Sequence, residues 1–448
     1  MKSNRTSRRN FLKKSVAAGM ASFVVPYVIP SHVMGGQGRT AANDQIILGG
    51  IGMGGQGNRV VRSMSRFPGV FIAAVADANM SRARESAENF GAEAYQDYRR
   101  LLDRNDIDAV VIASPDHWHS LHTIHAAQAG KDIYCEKSLT LTVKEGRKMV
   151  EAVRKYNRVL QTGSQQRSEA RFHRACMLVR NGYIGKVQKI IGVNFAGPWE
   201  NALPAEPVPS DVDWDMWCGP VQPHPYNINL ITSRANPGWL SIRDFCGGEI
   251  NGWGTHDIDQ IQWALGMDES GPVEVWTVGN PYEPWVALRP DRFGRFFGAK
   301  DPVIHMRYPG NIHVEFSENE DPNGGALFIG EKGYVRVDRG RLELSNEEWH
   351  DIPLDNMSIQ LQTSDSHHQN FLDCIKDRSR PVADVEIGHR SATACHLGNI
   401  ARWITQRTKE TGQRLIWDPV EERFTNNEWA NHYLDRSRRR EYSLPETV

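Results

Sequence analysis

The stretch that most restricts this chain is Gln45 to Gly57. An apolar run, Gln45 to Gly50 (QIILGG), is followed at once by Gly52-Met53-Gly54-Gly55-Gln56-Gly57 and then by a helical stretch, Asn58 to Arg66. A buried strand that turns sharply into a helix needs glycine at set places. Gly52 permits the tight turn, Gly54 lets a pyrophosphate approach the main chain, and Gly57 lets helix and strand pack closely. The N–H groups in the first turn of such a helix lack intrahelical acceptors and face the phosphates. A second strand, Val70 to Ala76, comes next, and Asp77 ends it 25 positions after Gly52. A carboxylate there accepts hydrogen bonds from the adenosine ribose hydroxyls and repels a 2′-phosphate. The expected cofactor is therefore NAD in preference to NADP, with Arg82 and Arg84 nearby as the residues that keep NADP open. Asp77 can also be read as the N-cap of a helix over Met80 to Phe90.

The alternation continues. Ala109 to Ile112, Asp132 to Cys135 and Val159 to Thr162 read as strands, with helices over His119 to Gln128 and Val143 to Tyr156 between them. Strands and helices at this spacing predict a doubly wound parallel sheet, a Rossmann domain. Ligands of such sheets lie beyond the carboxyl ends of the strands. Two of those ends carry chemistry: Ser114-Pro115-Asp116-His117-Trp118-His119 and Glu136-Lys137-Ser138. An ammonium at Lys137 can stabilise an alkoxide as hydride leaves, or polarise a carbonyl in reverse. The alternative is a strand-end lysine paired with Glu136.

After Thr162 the pattern changes. Gly163 to Ser168 reads as a linker, Ala170 to Arg180 as a helix and Lys186 to Phe195 as a strand. Gln165 and Arg167, just past the last strand of the first half, are placed to reach cofactor or substrate. The proline-, asparagine- and tryptophan-rich segment from Pro198 to Pro237 reads as irregular. Further strands fit Val273 to Val278, Val303 to Tyr308, Asn311 to Phe316, Ala326 to Gly330 and Tyr334 to Asp338. Helices fit Gln260 to Leu265, His367 to Lys376 and Gly388 to Gln406. The resulting division is residues 1–42, 43–164 and 165–448.

The first residues read as an address. Ser7-Arg8-Arg9-Asn10-Phe11-Leu12-Lys13 precedes a short apolar run, Val16 to Ile29, that Pro26 breaks before it can make a stable membrane span. The segment resembles a twin-arginine export signal, which implies a periplasmic or otherwise exported protein that folds around its cofactor before crossing. Basic and acidic residues nearly cancel, 53 against 54, so there is no electrostatic footprint for nucleic acid. The six cysteines are scattered without a CxxC pair and are expected as free thiols. His117, His119, His122, His125 and the His367-His368 pair lack a framework of carboxylates or cysteines, so no metal site is expected.

Gly52 to Gly57, Asp77, Ser114-Pro115 with His119, Gly130-Lys131-Asp132 and Glu136-Lys137 together resemble the glucose–fructose oxidoreductase / inositol 2-dehydrogenase family (Gfo/Idh/MocA). The resemblance implies a second, α+β domain with a large, mostly antiparallel open sheet whose free face often serves as an interface between copies. It also implies that Lys137 is catalytic. The cofactor would be held by Gly52, Met53, Gly54, Gly57, Asp77, Ser114, Pro115, His119, Glu136, Lys137 and Gln165. Two departures stand out: Ser138 replaces the proline that usually follows Glu-Lys, and Gly252 stands where the family has an aspartate four residues before a catalytic histidine, here His256. An imidazole at His256 suits removal of a hydroxyl proton as hydride leaves the same carbon. Asn251, Trp253, Asp257 and Arg167 are the candidate substrate contacts. Three functions follow. The first is reversible hydride transfer between a tightly held NAD and a secondary hydroxyl of a sugar, glycoside or polyol. The second is NAD-dependent glycoside hydrolysis by transient oxidation and elimination. The third, raised by Gly252, is a non-catalytic NAD-bound sugar-binding protein.

Overall fold

The computed structural model describes residues 45–232, 238–288, 301–317 and 324–448. The export signal read near the start lies outside the described residues. Residues Ile46–Val448 form one compact unit.

Six parallel strands, β1 (Ile46–Ile51), β2 (Val70–Ala76), β3 (Glu93–Tyr95), β4 (Ala109–Ile112), β5 (Asp132–Cys135) and β6 (Leu160–Thr162), make a sheet of order β3-β2-β1-β4-β5-β6. Helices α1 (Gly55–Met64), α2 (Met80–Phe90), α3 (Asp116–Gln128) and α4 (Val143–Lys155) connect them. Leu48, Val110, Val111 and Ile112 are buried because both faces of the sheet are covered, which is why these strands read as unbroken apolar runs. The order reverses between β1 and β4, so the crevice opens at their carboxyl ends. The edge strand β3 has only three residues and no buried one, too little for a sequence signal.

The second sheet has nine strands. They are β7 (Val187–Val193), β8 (Glu274–Val278), β9 (Val303–Tyr308), β10 (Ile312–Ser317), β11 (Ala326–Gly330), β12 (Tyr334–Val337), β13 (Leu342–Leu344), β14 (Leu415–Asp418) and β15 (Arg423–Phe424). Their order is β13-β12-β11-β7-β10-β9-β8-β14-β15, with only the β7–β10 pair parallel. Along β9, Ile304, Met306 and Tyr308 point into the core while His305 and Arg307 face outward, the period-two signature of a sheet covered on one side. Helices α5 (Ala170–Arg180), α6 (Gly254–Leu265) and α8 (Val385–Thr408) cover the inner side, and α7 (His367–Asp377) packs on the first sheet's helix α1.

Helix α8 touches α4 and β6 of the first sheet as well as α6, β8 and β9 of the second. A helix buried on nearly every side carries no one-sided apolar stripe. Its periodicity was therefore legible only from Gly388, whereas the helix starts at Val385 behind an Asp384 side-chain cap. Helix α6 begins at Gly254, not Gln260, which places His256 and Asp257 in its first turn. The segment expected to be irregular holds two short helices, Trp214–Cys218 and Ile228–Ile231, around a small core that includes Trp217, Tyr226, Leu230 and Phe245. The six cysteines are free and buried. Among the described residues no helix is long and apolar enough to cross a membrane.

Candidate active site

The glycine turn is built as tightly as its spacing requires. Gly52 has φ +83°, and a Cβ on it would lie 2.4 Å from the Ser114 amide nitrogen. A Cβ on Gly57 would lie 2.1 Å from the Gly52 carbonyl oxygen, so helix α1 can approach the turn only through a hydrogen. Gly54 differs: nothing lies within 4 Å of a Cβ placed there, and no side chain caps the helix it precedes. The N–H groups at the start of α1 thus look into open space. That space is a cleft lined by Gly52, Gly54, Asp77, Ser114 and Pro115 among others. Open room above Gly54, bare helix N–H groups and a carboxylate at the second strand end fit a dinucleotide.

Asp77 is buried at the end of β2, and its two carboxylate oxygens accept from the main-chain N–H groups of Met53, at 2.8 Å, and Asn79, at 2.9 Å. Burial pushes its carboxyl above the ordinary carboxylate range, against the pull of Arg82 and those two N–H groups. Each oxygen keeps a second lone pair for a ribose hydroxyl. The cap of α2 is Asn79, not Asp77. Arg82 sits 3.6 Å from Asp77 and donates to the Ile231 carbonyl, while Arg84 is exposed. Met53 reaches this site only through its main chain, because its side chain is buried.

The opposite wall of the cleft comes from the second half of the chain: Met216, Trp217, Ile231 and Trp239. Backbone bonds join this wall to the strand end carrying Asp77, from Met80 N–H to the Asp211 carbonyl at 2.8 Å and from Asp213 N–H to the Ala78 carbonyl at 2.9 Å. The Trp118 indole N–H donates to the Trp217 carbonyl at 3.0 Å. Sequence reasoning missed these residues. The tryptophan-rich segment from Pro198 to Pro237 reads only as irregular, and nothing local says that it folds back over the turn after β2.

At the end of β5, Glu136 accepts at 2.8 Å from the amide of Gln56, a residue that lines the cleft, and this ties β5 to α1. The Lys137 ammonium donates to the Gly252 carbonyl at 2.9 Å. The Lys137–Ser138 peptide bond is cis. The Ser138 hydroxyl contacts the Asn251 carbonyl and lies 2.7 Å from Thr255 Oγ1. These ties join the end of β5 to the first turn of α6, one residue from the buried His256. The Trp253 ring stands edge-on to His256, with centroids 5.8 Å apart, and Arg339 stacks 4.4 Å above Trp253. Gln165 follows β6 with its amide between the Gly163 carbonyl, at 2.6 Å, and Arg339, at 3.2 Å. Arg339, in the turn between β12 and β13, carried no signal in the sequence.

Two family models match this architecture. Residues 47–164 match the NAD-binding Rossmann fold of the Gfo/Idh/MocA oxidoreductase family, and residues 175–292 and 304–444 match that family's C-terminal alpha/beta domain. The chain belongs to the Gfo/Idh/MocA oxidoreductases. Among its relatives, levoglucosan dehydrogenase of Pseudarthrobacter phenanthrenivorans is 33% identical over 235 residues, 51% of each chain. Myo-inositol 2-dehydrogenase of Thermotoga maritima is 33% identical over 140 residues, 31% of this chain and 42% of the relative. The matched part thus spans about half or less of these curated relatives. Among solved structures, the WlbA dehydrogenase of Bordetella pertussis, in complex with NADH and UDP-GlcNAcA, superposes with a TM-score of 0.60 at 18% identity, covering 84% of this chain and 98% of that one.

Within this Gfo/Idh/MocA chain, several residues expected at the cofactor or substrate lie elsewhere. His119 is buried, and its two ring nitrogens face the carbonyls of Ser138, at 2.7 Å, and Ser114, at 2.8 Å. Two acceptors call for two N–H donors, hence an imidazolium. Burial opposes that charge, but Cys135, Asp116 and the Ser138 carbonyl outweigh it and push the pKa up to about 10. His119 therefore braces two strand ends and does not enter the cleft. The Asn251 side chain lies against His396 and Asn399 of α8. Asp257 is buried and accepts from the Val193 N–H at 3.1 Å, on the sheet side of α6. Helix geometry explains both: each lies on a face of its turn that meets protein.

Arg167 is also buried, paired with Asp259 and Asp268 at 2.8 Å each. Truncating one member of a buried pair strands the other charge. Arg167→Ala is therefore expected to cost about 3–5 kcal/mol of stability, read as a lowered urea midpoint. A variant that unfolds with the wild type but binds sugar poorly would return Arg167 to the substrate site. Of the histidines weighed as metal ligands, His117 faces the Trp217 carbonyl, His122 Ser114 Oγ, and His125 the Tyr98 hydroxyl. Among the described residues the one group whose ligand atoms lie within 4.8 Å of one another is none of these but His305, His313 and Glu315 on β9 and β10; Glu315 pairs there with Lys189.

Proposed function

We propose that this protein transfers hydride reversibly between NAD and a secondary hydroxyl carbon of a sugar, glycoside or polyol. One observation carries the reading: the Lys137 ammonium at the end of β5 is bonded to the turn that opens the His256 helix, at the edge of the sheet that holds the dinucleotide cleft. Glycines 52, 54 and 57 and the start of α1 hold the pyrophosphate, Asp77 the ribose, and Ser114, Pro115 and Glu136 the far end. Bound NAD supplies the hydride acceptor. Lys137 stabilises charge on the reacting oxygen, and His256 takes or returns its proton. The names of the sugar and inositol dehydrogenases among its relatives support the substrate class.

We further propose that the cofactor is retained between turnovers. Trp217 and Trp239 line the cleft from a part of the chain bonded to the turn after β2, and a protein exported through the twin-arginine signal would meet no free NAD pool. Retention favours reactions that restore the cofactor, which gives the glycoside-hydrolase reading its weight. The test has two stages. The purified protein is denatured and the released nucleotide identified; NAD in near-stoichiometric amount is expected. Intact protein is then mixed without oxygen with a panel of sugars, polyols and glycosides. Reduced nicotinamide absorbance is the expected result, whereas aglycone release without net reduction would select the hydrolase. Protein that neither carries nor takes up a dinucleotide would end both readings.

A further inference from the structure

The site contains a carboxylate that the sequence motif does not reveal. Gly252 ends the short helix Glu249–Gly252, whose start is wedged in place: a Cβ on Gly248, at φ +81°, would lie 2.6 Å from the main chain of Gly197 and Pro198. From the first residue of that helix the half-buried Glu249 side chain folds over the last. Its Oε2 lies 2.9 Å from where a Cβ on Gly252 would stand, and Leu240 Cδ2 lies 3.0 Å from the same point. The carbonyl of this same Gly252 holds the Lys137 ammonium at 2.9 Å. An acidic and a basic side chain thus converge on one residue, a single helical turn before His256.

We propose that Glu249 is a substrate-binding residue: its carboxylate accepts a hydrogen bond from a hydroxyl neighbouring the reacting carbon, and position 252 is glycine because that carboxylate fills the space above it. The inference rests on the hydride-transfer reading and narrows its substrate class. The ligand presents a neutral hydroxyl donor beside the reacting one, as a vicinal diol does. A substrate with its own carboxylate at that position meets like charge and is rejected.

The test is a double-variant cycle on the NAD-loaded protein, read by reduced nicotinamide absorbance, with the panel member that reacts best in the wild type as substrate. Glu249→Gln is expected to raise KM roughly 10–100-fold, the loss of one charged hydrogen bond, with dinucleotide content and melting unchanged. Gly252→Asp is expected to be harmful with Glu249 present, because two like charges would be forced together, a repulsion that Glu249→Gln removes while keeping the side chain's size. In the Glu249→Gln background the same Gly252→Asp change is expected to recover most of the lost KM. That reversal of sign is an interaction that a merely structural Glu249 would not produce. If Glu249→Gln does not fold, Gly252→Ala carries the test: its methyl displaces Oε2 and KM should rise. A wild type that reacts while Glu249→Gln or Gly252→Ala keeps its KM overturns the inference alone. A wild type that transfers no hydride from any panel member overturns the function and this inference together.

Discussion

Lys137→Ala is expected to slow hydride transfer by on the order of 10³-fold while the dinucleotide stays bound. The reasoning is geometric. Lys137 is tied to the Gly252 carbonyl, and none of the glycine-turn contacts depends on its side chain. Removing it takes a fixed positive charge from where oxygen becomes negative, an interaction stronger in the transition state than in the ground state. The loss should therefore fall on kcat and kcat/KM together. Lys137→Arg should not rescue it, since a planar guanidinium cannot replace a compact ammonium seated on one carbonyl. The measurement is single-turnover reduction of the bound nicotinamide with a reacting sugar. A Lys137→Ala protein that keeps its rate would remove Lys137 from the chemistry.

The second large effect separates packing from ligand contact at the glycine turn. Gly57→Ala places a methyl 2.1 Å from the Gly52 carbonyl oxygen, a main-chain atom that cannot swing aside. Helix α1 must lift away, which is expected to lower stability by about 1–3 kcal/mol and dinucleotide affinity by on the order of 100-fold. Gly54→Ala meets no protein atom within 4 Å. The apo protein should therefore melt with the wild type, and only dinucleotide binding should fall, because the methyl intrudes where the pyrophosphate lies. Thermal melts with and without added NAD read both. Equal dinucleotide affinity in Gly54→Ala and wild type would mean that the phosphates lie elsewhere.

Much of the first sheet was legible because its signals are local. β2, β4 and β5 start and stop where their apolar runs do, and the glycine spacing states the turn it makes. The misreadings share one physical cause. Asn251, Asp257, Arg167 and His119 lie within four residues of site residues, but a helix or tight turn sends nearby side chains in different directions, and these four meet protein. The overlooked residues fail the opposite way. Trp217, Trp239 and Arg339 reach the site from far along the chain, with nothing in their own neighbourhoods to mark them.

The amino-acid order by itself determined a dinucleotide-type turn, a parallel sheet behind it, a carboxylate at its second strand end and an ammonium at the end of the strand Asp132 to Cys135. Each of these depends on residues within one strand–turn–helix unit, where spacing alone sets geometry. Only the tertiary structure decided that tryptophans from the second half line the nucleotide cleft, that Lys137 is bonded to the turn opening the His256 helix, and that Glu249 folds over Gly252. The first two are contacts between segments about 100 or more residues apart, and the third is a side-chain direction set by packing; sequence spacing carries no information on either.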